Sequence, residues 1–142
     1  MECAICSLPQ SMRHSVGDDW FLSIPGGDAP LAGWVALATG EHRETLDELS
    51  QSEAASLGPL LRSISGAIIG ETSAERTYVA NWAEGTRHVH FHVIPRPAEL
   101  EPSRLGAAVF SLLGDDIPHP SATEQERVLQ SIIHSVQRAG EQ

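Results

Sequence analysis

The sequence predicts an α+β domain built on an antiparallel sheet, and three observations carry that expectation. Short apolar runs that read as strands stand on either side of one long helical pattern, with no alternating strand–helix rhythm. The chain has 142 residues, 41% of them hydrophobic, which is one domain's worth and enough for a single buried core. No internal repeat or low-complexity tract divides it, so residues 1–142 are expected to form one domain.

Residues 20–24 form a short apolar run closed by Pro25-Gly26-Gly27, the pattern of a strand followed by a turn. Residues 34–38 read as a second strand, stopped at Thr39-Gly40. Ser50 with Glu53 makes a capping box, after which Leu57, Leu60, Leu61, Ile64 and Ile68 recur at helical spacing. Gly58-Pro59 is expected to kink or split that helix, because proline lacks the backbone donor and clashes with the preceding turn. Residues 76–82 read as a third strand centred on Tyr78 and Val79. After the break at Ala83-Glu84-Gly85, residues 87–94 are the clearest strand, ended by Pro95. Residues 105–113 fit a short helix. A last helix opens at a Thr123-to-Glu126 capping box, turns Val128, Leu129, Ile132, Ile133 and Val136 inward, and stops at Gly140.

Composition removes whole classes of function. Acidic residues outnumber basic ones 19 to 9, a formal net charge of -10, which argues against a general nucleic-acid binder. A small phosphorylated ligand held by a few local donors stays open. All nine basic residues are arginines and lysine is absent, which excludes P-loop ammonium chemistry, Schiff bases and lysine nucleophiles. The start Met1-Glu2-Cys3 lacks a basic and an apolar signal region, and no apolar stretch is long enough to cross a bilayer. The expectation is a cytoplasmic protein with no membrane partner. Cys3 and Cys6 would then be reduced thiols, suited to metal or redox chemistry.

The informative segment is His88-Val89-His90-Phe91-His92-Val93-Ile94-Pro95-Arg96. On a strand, alternation places His88, His90 and His92 on one face and Val89, Phe91 and Val93 in the core. Three readings fit such a row. It is a polar strand face that happens to be histidine, a metal site using all three rings, or a phosphorus-attacking histidine supported by its neighbours. Neutral imidazole is a good nucleophile toward phosphorus because its pKa lies near neutral pH.

His-Val-His-Phe-His-Val-Ile resembles the signature of the histidine triad (HIT) family, in which three histidines alternate with apolar residues. The resemblance extends back through residues 30–42, whose Pro30 and His42 match the family's proline-to-histidine segment, and to the Glu-Thr-Leu-Asp-Glu-Leu stretch that follows. It covers roughly residues 1–97, leaving 98–142 as a C-terminal extension with a helix. It implies a HIT-like fold: a roughly five-stranded antiparallel sheet, one long helix and a C-terminal helical segment. It also implies a homodimer and a nucleotide hydrolase or nucleotidyl transferase acting at an α-phosphate. Candidate substrates are adenosine phosphoramidates, dinucleoside polyphosphates or nucleotide-sugar-like esters. Carried over, His90 is the nucleophile, His92 donates to a phosphate oxygen, and His88 orients the row. The chemical step itself needs no metal in that scheme.

Two departures stand out. The family often has a histidine where this chain has Trp34. Ahead of the triad, where relatives carry Gly-Gln-Ser/Thr, the stretch is Glu84-Gly85-Thr86, with Asn81 at the position of a nucleotide-contacting asparagine in a shorter loop. The resemblance therefore implies nucleotide contacts from Asn81, Glu84, Thr86 and His92. A non-catalytic nucleotide-binding module and a metalloenzyme using His88, His90 and His92 are the alternatives.

Cys3-x-x-Cys6 by its spacing fits a metal site or, less well, a thiol oxidoreductase, since no strand precedes it. Bacterial relatives implied by the resemblance pair such a motif with two histidines, which here are His42 and His88. Cys3, Cys6, His42 and His88 would then hold a structural zinc. Arg96 is a candidate phosphate contact or ion pair, and Arg87 is expected to face away from His88. His14, His119 and His134 read as loop or solvated residues, and Asp18-Asp19 and Gly26-Gly27-Asp28 as turns or ribose contacts.

Overall fold

The computed structural model describes residues 2–140. Five strands form one antiparallel sheet: β1 (His14–Ser15), β2 (Trp20–Ser23), β3 (Val35–Thr39), β4 (Arg76–Ala80) and β5 (His90–Arg96), in spatial order β1-β2-β3-β5-β4. Two α-helices, α1 (Gln51–Thr72) and α2 (Ala122–Gly140), complete the α+β architecture. No described helix is long and apolar enough to cross a membrane.

One face of the sheet carries the main core. Trp20, Leu22, Val35, Leu37, Phe91 and Val93 meet Ile64 and Ile68 of α1 and Val128, Leu129, Ile132, Ile133 and Val136 of α2, all buried. Alternation along each strand therefore puts the two long helices on the same side. On the other face, Ala29, Trp34, Ile94, Val109 and Leu112 form a smaller core under a 3-10 helix at Gly106–Leu113. That segment covers part of the histidine face and leaves the rest uncovered by helix.

Several boundaries differ from expectation. The histidine strand begins at His90, not at residue 87, because His88 N donates to the Thr86 carbonyl in a tight turn at 2.9 Å. It also runs through Pro95 to Arg96. The last registered pair with β3 is Val35 with Val93, so no β3 carbonyl faces the missing proline N–H. Helix α1 passes Gly58-Pro59 without splitting, since one lost backbone bond is outweighed by packing along its length. Its capping box at Ser50 and Glu53 is present as expected. Helix α2 starts earlier than Thr123, capped by Ser121, whose hydroxyl accepts from Glu124 N at 3.1 Å. The third strand stops at Ala80, which leaves Trp82 outside it, and His14 lies in the short edge strand β1. The 105–113 segment is a 3-10 helix, opened by Gly106 at φ 64.

Candidate functional site

Strand β5 sits between β3 and β4, so its outward side chains lie in the middle of a sheet face. Val89, Phe91 and Val93 are buried in the core, while His90 and His92 project from the opposite face. Their cross-strand neighbours are small: Ala38 faces His90, and Ala36 and Ala80 flank His92. Small partners leave both imidazoles room above the sheet. The two ring centroids are 5.3 Å apart.

Each ring has one nitrogen committed to the protein. His90 Nδ1 lies 2.7 Å from the His88 carbonyl oxygen. A carbonyl only accepts, so Nδ1 carries a proton and the neutral ring keeps its lone pair on Nε2. His92 Nδ1 instead accepts from the indole Nε1–H of Trp34 at 3.0 Å, which leaves its proton on Nε2. Burial, reinforced by the neighbouring His90, lowers the pKa of His92 to about 4, so its ring is neutral at physiological pH. Phe110, from the 3-10 helix, stands edge-on to His92 with centroids 5.1 Å apart and closes one side of it.

His88 points elsewhere. Fully buried, it donates through Nε2 to the Thr39 carbonyl at 2.8 Å and turns Nδ1 toward two thiols, 3.3 Å from Cys3 Sγ and 3.5 Å from Cys6 Sγ. His42 repeats the arrangement, with Nε2 on the Glu44 carboxylate at 3.2 Å and Nδ1 at 3.4 Å from Cys6 Sγ. The ligand atoms of Cys3, Cys6, His42 and His88 all lie within 4.8 Å of one another. A tetrahedral zinc with Zn–S of about 2.3 Å and Zn–N of about 2.0 Å spaces its S and N ligands about 3.5 Å apart. The sulfur–nitrogen separations match that spacing, and both imidazoles offer an unprotonated nitrogen while an oxygen holds the other. Burial pushes the Cys3 thiol up, yet the Cys6 backbone N–H and thiol and the Ile5 backbone N–H outweigh it. Burial and Cys3 itself raise Cys6. The cluster is consistent with zinc binding. The ring of His88 thus belongs to the thiols, and only its main-chain oxygen serves the histidine row. Among the described residues His90 and His92 belong to no group that could hold a metal.

The other predicted positions divide. Asn81 and Glu84 line one cleft of about 430 Å³ together with Glu44, Thr45, Leu46, Trp82, Ala83 and Arg87. Asn81 Oδ1 is buried there without a hydrogen-bond partner. Glu84 and Thr86 also line a hollow of about 400 Å³ beside Cys3 and His42. Neither space is lined by His90 or His92. Arg96 pairs with Glu75, Asp28 is held by Gln125 and His119, and His134 is exposed. Sequence reasoning missed four supports of the site: Thr39 and Glu44, which hold the outer nitrogens of His88 and His42, the donor role of Trp34, and Phe110. Thr39 and Glu44 flank the segment of His42 and carry the only sequence signal for their roles, an oxygen near a candidate ligand. Trp34 stood out only as a departure.

No protein-family profile and no curated protein sequence matches the chain. Solved structures do. A zinc-bound histidine triad family protein from Mycobacterium smegmatis superposes with TM-score 0.70 at 16% identity, covering 97% of each chain. A hypothetical histidine triad nucleotide-binding protein from Sulfolobus tokodaii gives 0.66 at 17% identity, over 96% of this chain and 93% of that one. The diadenosine triphosphate hydrolase of Plasmodium falciparum, solved with cyclomarin A, gives 0.66 at 15% identity over 96% and 84%. A match at these TM-scores, across most of the length of proteins so distant in sequence, makes the fold of this chain that of the histidine triad proteins.

Proposed function

We propose that the protein binds a nucleotide derivative and cleaves it at the α-phosphate through a nucleotidyl-His90 intermediate. The observation that carries this reading is the polarity of His90: its Nδ1–H is held by the His88 carbonyl and the neutral ring keeps its lone pair on Nε2. In the first step Nε2 attacks phosphorus, the bond to the leaving group breaks, and the electron pair departs with that group. Water or another acceptor then attacks the same phosphorus, gives up its proton through solvent to the departed group, and returns the pair to Nε2. His92, 5.3 Å away ring to ring, supplies Nε2–H to a phosphate oxygen. Asn81, Glu84 and Thr86 are the proposed nucleotide contacts, lining the two clefts beside the thiol–imidazole cluster. Nucleotide binding is supported by the names of the structural neighbours, one called nucleotide-binding and one a diadenosine triphosphate hydrolase.

Zinc on Cys3, Cys6, His42 and His88 has a structural part in this proposal. When bound, it ties the N-terminal segment to the start of β5. Thr39 and Glu44 orient the two imidazoles, and the anchored His88 backbone holds its carbonyl against His90 Nδ1. A homodimer, implied by the family resemblance, and a cytoplasmic location complete the proposal.

The test is the intact mass of the protein after brief mixing with an adenosine phosphoramidate, with a dinucleoside polyphosphate in parallel, and assay of released AMP. The wild type is expected to gain an adenylyl mass or release AMP, and His90→Ala to do neither. Tight AMP binding with no adduct and no turnover would identify a binding module instead and remove His90 as nucleophile.

A further inference from the structure

Trp34 is 1% exposed and sits one residue before β3. Its indole makes one hydrogen bond, Nε1–H to His92 Nδ1 at 3.0 Å. An indole nitrogen can only donate, so His92 Nδ1 must accept, and a proton placed there would face the indole N–H head-on. Among the described residues His92 makes no other hydrogen bond. Its cross-strand neighbours are Ala36 and Ala80, Phe110 and the Trp34 ring pack edge-on at 5.1 and 6.0 Å, and His90 is the one titratable group against it.

We propose that Trp34 is a positioning residue, whose indole N–H holds His92 in the single Nε2–H tautomer and makes it a neutral hydrogen-bond donor. The contact to phosphate rests on the reading of His90 as nucleophile, whereas the tautomer does not. The consequence for chemistry is specific. A neutral imidazole is far too weak an acid to hand its proton to a leaving group near neutral pH, so His92 hydrogen-bonds a phosphate oxygen and contributes no formal charge. A histidine at position 34 would have a second nitrogen and two tautomers, and would leave the proton of His92 free to move. A tryptophan has neither and locks it.

Long-range proton–nitrogen correlation spectra of the purified, nitrogen-15-labelled protein at pH 7 test this directly. His92 is expected to show a fully unprotonated Nδ1 and a protonated Nε2. The Trp34 indole proton is expected to be shifted downfield and protected from exchange. Trp34→Phe removes the donor and is expected to give His92 a mixture of tautomers. A merely structural loss at position 34 would not alter that ratio while the backbone spectrum stays native. Should Trp34→Phe not fold, His92→Asn and His92→Leu decide the matter. Asn keeps an acceptor and is expected to retain the indole signal, and Leu to lose it together with roughly tenfold or more of its exchange protection. A protonated Nδ1 in the wild type, a tautomer ratio unchanged by Trp34→Phe, or an indole signal indifferent to His92→Leu would each overturn the proposal. Failure of the adenylyl adduct with these spectra intact would count against His90 alone.

Discussion

His90 and His92 stand two residues apart on one strand, yet their protons sit on opposite ring nitrogens because different neighbours claim Nδ1. A backbone carbonyl makes His90 Nδ1 a donor, and an indole makes His92 Nδ1 an acceptor. The result is a lone pair beside an N–H, the complementary pair that the proposed attack on phosphorus requires. His92 also carries a pH signature. Its pKa falls from the ordinary 6.5 to about 4 through burial and the nearby His90. Above pH 6.5 neither folded nor unfolded ring is protonated, so His92 adds no pH dependence. Below it the unfolded ring takes a proton that the folded ring refuses, and stability falls until the folded ring titrates at about 4. His92→Asn keeps an acceptor for Trp34 and removes the titration. The gap between wild-type and variant urea midpoints is therefore expected to narrow from pH 7 to pH 4.5. A gap that stays constant would mean His92 titrates normally.

At the scale of elements, the site depends on how closely β3 and β5 approach the helices. Gly33, directly before Trp34, has φ +95, and a Cβ there would come within 3.0 Å of Thr72 Cγ2, 3.5 Å of Val128 Cγ1 and 3.7 Å of Pro95. Both helices and β5 thus converge on one position that only glycine satisfies. Gly33→Ala is expected to destabilise by about 2–4 kcal/mol, from left-handed backbone strain plus the clash. Gly85, where an added Cβ meets nothing within 4 Å, provides the control, and Gly85→Ala is expected to stay within about 0.5 kcal/mol of wild type. Urea unfolding of both variants checks this, and equal effects would show that the convergence at Gly33 does not constrain the fold.

Across the whole molecule, the thiol–imidazole cluster joins segments far apart in the chain, since Cys3 meets His88 across 85 positions. Zinc bound there would stabilise the folded form by its binding free energy and would secure an N-terminal segment with few apolar anchors. Metal analysis is expected to find one zinc per chain. Chelation, or Cys3→Ser, is expected to lower Tm by about 10 °C or more, while His90→Ala keeps its zinc. Loss of metal on His90→Ala with retention in Cys3→Ser would transfer the site to the histidine row. The C-terminal segment has a comparable long-range part: Val109 and Leu112 bury against Trp34 and Ile94, and Phe110 closes over His92. Residues beyond the recognisable motif therefore build one wall of the site.

The sequence by itself determined the α+β class, four of the five strands, both long helices with their inward-facing residues, the histidine row and the grouping of Cys3, Cys6, His42 and His88 implied by the resemblance. These follow from period-two and helical spacing, which act within a few residues and so are written locally. Only the tertiary structure decided that β5 begins at His90 and leaves His88 outside it, that it continues through Pro95, and that α1 runs unbroken past Pro59. It also decided which nitrogen of each imidazole carries the proton. That choice depends on what lies within about 3 Å of a ring atom, and here the deciding partners are a carbonyl two residues away and an indole 58 positions distant. A pattern in sequence places a side chain on a face, whereas the packing of remote elements sets its proton.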